Sequence, residues 1–228
     1  MKPLLVSSLL FLMACGGTEH TRRTFPLDVA GQRPGALVTD SGWSVTLNKA
    51  TAHLASVRFF EGKVLVTRRS PWWRSLLISE AWAHPGHYQA GEALGELLAP
   101  LELDLLSPGP VRWGEVDALT GSYGSVQLGF AEGGLELEGT ATRAGETVVF
   151  AGRVQPEAAL EGLPFDHEMT TAAGSVQLRL ELQVLLSRVD FGRVGSSAAP
   201  IDVTSPAFNG LARGVGDTNG YLLTWTEN

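Results

Sequence analysis

Cysteine is nearly absent from this 228-residue chain, and Cys15 is the single one. No intrachain disulfide is available, so the fold must be held by a hydrophobic core. Long apolar runs are also missing: the best, Leu4 to Ala14, is far short of the roughly 20 residues that a membrane-spanning helix needs. Basic residues are the scarcer charge, 17 Lys+Arg against 24 Asp+Glu, a formal net charge of −7. That balance argues against nucleic acid or an anionic surface as the main partner of the domain.

Catalytic signatures are lacking as well. Gly121-Ser122-Tyr123-Gly124 has the wrong spacing for a serine nucleophile elbow. His167-Glu168 is not followed by the second histidine of the zinc-protease motif. Gly214-Val215-Gly216 opens no dinucleotide-binding helix, and Asp217-Thr218-Asn219-Gly220 lacks the distal glutamate of a calcium loop. The expectation is a protein that is not an enzyme.

The N-terminus carries the most specific signal. Lys2 gives a positive start, Leu4 to Met13 an apolar stretch, and Ala14 a small residue at its end. The tetrad Leu12-Met13-Ala14-Cys15 resembles the lipobox of bacterial lipoproteins. That resemblance implies cleavage before Cys15, lipid on its sulfur and, with Gly16 following instead of Asp, delivery to the outer membrane of a Gram-negative bacterium. It covers about the first seventeen residues and is silent on the domain behind them. The organisation it implies is a signal peptide over 1–14, a lipidated N-terminus and tether over 15–23, and one β-sandwich domain over 24–228. Loss of Lys2 with the signal would leave 16 Lys+Arg against 24 Asp+Glu, a net charge of −8.

Beyond residue 23 the pattern is of strands. Val176, Leu178, Leu180, Leu182, Val184 and Leu186 alternate with polar positions, the period of two of a half-buried antiparallel strand. Val126-Leu128-Phe130, Leu135-Leu137 and Val148-Phe150 are shorter alternations, separated by the turn candidates 131–134 and 143–146. Trp43, Val45, Leu47, Val57 and Phe59 share one parity over a long extended stretch, and Lys49 on that parity predicts a bulge. Leu101-Leu103-Leu105 predicts another strand, and Asn219-Gly220 predicts a hairpin leading into Tyr221–Trp225. Helical stretches are expected only at Pro71 to Ala81 and around Phe208 to Arg213. The fold class is therefore all-β, an antiparallel β-sandwich or jelly roll with one or two short helices.

One cluster invites a ligand: Trp82-Ala83-His84-Pro85-Gly86-His87-Tyr88. Imidazole is neutral at pH 7 and is accepted by copper and zinc, so His84 and His87 form the start of a metal site. A further ligand is needed, and His53, on the parity of Trp43 and Phe59, is the leading candidate, with Glu92 and Glu96 near enough in sequence to supply oxygen. The spacing Trp82-x-His84 is similar to a feature of methanotroph surface copper proteins, where an oxidised tryptophan lies two residues before a histidine ligand. That likeness of three residues sets copper beside zinc and identifies no family. Against the metal stands the plainer reading, in which His84 and His87 are loop residues and His53 a hydrogen-bonded core histidine. Trp82 and Tyr88, with Trp72 and Trp73, then form either a small satellite core or a platform for a partner in the cell envelope.

Overall fold

Two long strands organise the molecule. In the computed structural model, which describes residues 20–32, 35–62, 91–194 and 201–227, β3 (Ser44–Glu61) pairs antiparallel along most of its length with β6 (Gly121–Arg143). Strands of 18 and 23 residues do not stay flat, because twist accumulates along them. They bend through bulges and take different neighbours at their two ends. One half of β6 pairs with β8 (Leu160–Met169), and the other half pairs with β7 (Glu146–Val154).

The remaining strands are β1 (Arg22–Gln32), β2 (Leu37–Val38), β4 (Ala93–Asp104), β5 (Val111–Leu119), β9 (Gly174–Glu181) and β10 (Tyr221–Glu227). All join one hydrogen-bonded sheet of order β10-β9-β1-β5-β4-β3-β6-β7, with β2 on β3 and β8 on β6. The all-β expectation holds. The ladder is one sheet, curled until β8 meets β10 side by side: the His167 ring on β8 stacks on Trp225 of β10 at 4.9 Å. One pairing, β1 with β9, is parallel, where the sequence pattern suggested antiparallel neighbours throughout.

The curl encloses the core. Phe25, Phe59, Tyr123 and Phe165 are almost fully buried and meet edge to face, with centroids 5.5 to 6.2 Å apart, the arrangement that ring quadrupoles prefer. Two hydroxyls are satisfied within it. Tyr221 donates to the Val215 carbonyl at 2.7 Å, and Tyr123 to that of Leu119 at 2.6 Å, with Leu94 O at 3.0 Å. Burial pushes the Tyr123 phenol up to about 12 and Tyr221 higher still.

Two short helices, α1 (Leu182–Ser187) and α2 (Pro206–Val215), pack on each other, α1 against β2 and α2 against β7. The sequence starts α2 clearly: Ser205 Oγ accepts from Phe208 N at 3.2 Å, and Pro206 occupies the first turn. Gly210 and Gly214, one turn apart, let α2 touch backbone; a Cβ on them would lie 2.3 Å from Arg188 O and 2.0 Å from Leu185 O. No described helix is long and apolar enough to cross a membrane.

Three local expectations are corrected. Leu182 to Leu186 form helix, not a continuation of β9; Leu182, Leu185 and Leu186 are the buried positions, spaced i, i+3, i+4 as a helical face requires. The stretch 131–134 is not a chain-reversing turn but an expansion inside β6. There β3 advances from Ala52 to Leu54 while β6 advances from Leu135 to Phe130, with Gly133 and Gly134 at φ 109° and 57°. Asn219-Gly220 closes a 3-10 turn whose Asp217 carboxylate accepts from Asn219 N, and β10 pairs with distant β9, not with a hairpin partner. The turn at 143–146 is a two-residue hairpin, with Ala144 and Gly145 both at positive φ, as a type I′ turn demands.

Candidate functional site

His53 occupies the most irregular point of the sheet. Along β3, Val45 is buried with odd parity, then Ala50, Ala52 and Leu54 with even parity, then Val57 and Phe59 with odd again. Register shifts between Leu47 and Lys49 and between Leu54 and Ser56 explain this, since each extra residue turns the following side chains to the opposite face. The first shift is the bulge predicted near Lys49. Between the two shifts His53 faces away from the core, 21 % exposed at its side chain.

Its ring covers Gly133 in the expansion of β6, where a Cβ would come within 2.6 Å of it. Nδ1 lies 4.0 Å from Glu102 Oε2, and Nε2 is buried with no hydrogen-bond partner. Beside it runs a set of ion pairs: Lys49 to Glu136 at 2.9 Å, Lys49 to Glu138 at 3.8 Å and Arg153 to Glu136 at 3.4 Å. The Lys49 ammonium holds the Glu136 carboxyl below its ordinary range. No three His, Cys, Asp or Glu side chains gather in a metal-holding group among the described residues.

Cys15, Trp82, His84, His87 and Tyr88 lie outside the described residues, as does the helix expected over Pro71 to Ala81. The stretch 63–90 departs beside Glu61, whose N–H donates to Glu92 O at 2.9 Å. That point is eight residues along β3 from His53, roughly 25 Å at the rise of a strand. Glu96 pairs with Arg58 at 3.4 Å. It faces Asp117 across the β4–β5 ladder, well away from His53.

Two features were not foreseen from sequence. The first is a groove of about 510 Å³ between β4 and β5. These strands pair only at Gly95–Ala118 and Glu96–Asp117, and farther along the Trp113 indole bridges them by donating to Ala99 O at 2.8 Å. Leu97, Leu98 and Leu119 give the groove an apolar wall, with Glu96, Glu115 and Asp117 also lining it. Leu98 is 59 % exposed. The strand pattern of β5 could reveal neither its partner nor where the pairing stops.

The second is the β8–β10 contact. His167 stacks on Trp225, and the Arg23 guanidinium lies 5.3 Å from the Trp225 ring and donates to Thr170 O. Burial holds the His167 imidazole below its usual value, Arg23 adds to that, and Glu227 and Glu168 oppose it. His167 belongs to strand β8, as does Pro164. Comparison with protein-family models, with curated proteins and with solved structures finds no match to this chain, so its fold and these sites stand on their own description.

Proposed function

We propose that the chain is a lipoprotein of the outer membrane, tethered through lipid on Cys15, whose all-β domain binds a partner or ligand and performs no catalysis. The observation that carries this reading is the tetrad Leu12-Met13-Ala14-Cys15 behind a positively started apolar stretch, with no other cysteine in the chain. Two or three acyl chains on that residue suffice for lasting attachment, since each buried methylene contributes about 0.8 kcal/mol. The groove between β4 and β5 supports binding: exposed Leu98 lies beside carboxylates already paired with arginines, Asp117 with Arg22, Glu96 with Arg58 and Glu115 with Arg112, a surface suited to an apolar ligand bearing a polar end. The test of anchoring is growth with labelled palmitate. The native chain takes up label and Cys15→Ser does not; equal labelling of the two would refute the anchor.

One observation favours a second reading, in which copper or zinc is the ligand. Nε2 of His53 is buried without a partner, a nitrogen ready to accept a metal or a proton donor. The other ligands would be His84 and His87. Zinc or copper should then raise the melting temperature of the tag-free domain at pH 7. His84→Ala and His87→Ala should each remove that rise. A full rise in the double variant would exclude this reading and leave the interaction lipoprotein without metal.

A further inference from the structure

The chain is fixed to the sheet almost as soon as it leaves the proposed anchor. Thr21 N donates to Thr120 Oγ1 at 2.9 Å, His20 Nδ1 lies 2.6 Å from Thr120 O, and β1 begins at Arg22. Four residues lie between Cys15 and His20, and the five steps from one to the other reach at most about 18 Å even when fully extended. Whatever path they take, the end of the sheet that carries His20 cannot be far from the lipid.

That end can be followed strand by strand. Arg22 is level with Leu119, Gly121 with Met169, and Tyr123 with Glu61. Arg23 ties the Thr170 carbonyl to it, and Glu61 N–H to Glu92 O closes the base of the stretch 63–90. The N-terminus, the 169–174 connection and both ends of 63–90 therefore emerge together. At the opposite end of β6, 22 residues from Gly121, sit the Ala144-Gly145 hairpin, α1 and α2.

We infer that the His20 end of the curled sheet is a membrane-facing surface and that the helical end points away from the bilayer. This rests on the anchoring reading of Cys15. The groove between β4 and β5 then opens on the flank of the domain near the bilayer, since it runs from Ala93 and Leu119 at that end, and a large soluble partner would approach the helical end instead.

The test uses the full lipidated protein in vesicles of phosphatidylethanolamine and phosphatidylglycerol containing a rhodamine lipid. Cys15 is blocked as a thioether in that protein, so a cysteine added at an exposed site is the only reactive thiol. A donor dye is placed by Thr171→Cys at the proposed membrane side and, separately, by Glu146→Cys at the far hairpin. Transfer to the lipid acceptor should be several-fold greater from position 171 than from 146. Equal or reversed transfer, with the protein still floating with the vesicles, would overturn the orientation while leaving the anchor in place. Failure of both labelled proteins, and of the unlabelled parent, to float would overturn the anchor and the orientation with it.

Discussion

Replacing Leu54 with alanine, beside the same change at His53, tests the double register shift that defines the centre of β3. Strict alternation from Trp43 through Val45 to Phe59 puts position 53 in the core and 54 outside it. In the structure Leu54 is 0 % exposed, whereas the His53 side chain is 21 % exposed and lies on the other face. Leu54→Ala deletes three carbons, about 2.4 kcal/mol at 0.8 kcal/mol each. The cavity left in the core adds to this, for a total of about 3–5 kcal/mol. For a domain of this size each kcal/mol lowers the melting temperature by about 2–4 °C, so the fall should be about 6–20 °C. His53→Ala removes a ring lying on Gly133 and one long contact with Glu102, and should cost less than about 1 kcal/mol. Urea unfolding followed by tryptophan fluorescence measures both. A larger loss from His53→Ala than from Leu54→Ala would mean that the face does not switch and the bulges are misplaced.

Tyr221→Phe should cost about 1–2 kcal/mol in the same assay, because it leaves the Val215 carbonyl without its buried donor; an unchanged midpoint would remove that bond from the account. His167 titrates with a lowered value when folded, so the unfolded chain binds its proton more readily. Stability from the neutral ring is complete above the ordinary histidine value near 6.5 and is lost as pH falls from there toward the folded value. His167→Phe keeps a ring against Trp225 and removes the titration, and its midpoint should drop less between pH 7.5 and 5.5 than that of the native chain. An equal drop in both would assign the acid sensitivity to other groups. Gly139→Ala places a Cβ 2.2 Å from Thr46 O, so the β3–β6 ribbon must part locally, and the variant should melt several degrees lower; an unchanged melting temperature would show that the two backbones are not in close contact there.

Much of the sheet was legible because half-buried strands write their burial as a period of two. The alternation of Val176, Leu178 and Leu180 became β9, and Lys49 on an apolar parity announced the first bulge of β3. The second bulge carried no such mark, since Ala55 and Ser56 are small enough for either face. Leu182 to Leu186 misled because Leu182, Val184 and Leu186 continue the alternation of β9 while Leu182, Leu185 and Leu186 satisfy a helical face. β1 was missed although Phe25, Leu27 and Val29 alternate: Pro26 argues against a central strand, and it is tolerated just ahead of Leu27, where the parallel pairing with β9 begins. Apart from the hairpin at 143–146, pairing partners were not legible, so neither the β4–β5 groove nor the contact of His167 with Trp225 had a sequence signal. The histidine pair His84 and His87 was the opposite case, a motif visible in sequence whose surroundings lie outside the described residues.

The most direct test of the account is the mass of the N-terminal peptide of the protein recovered from the outer membrane. The expected chain begins at Cys15 and carries a diacylglyceryl group, with residues 1–14 gone. A chain that still begins at Met1, or one with a free thiol at Cys15, would contradict it.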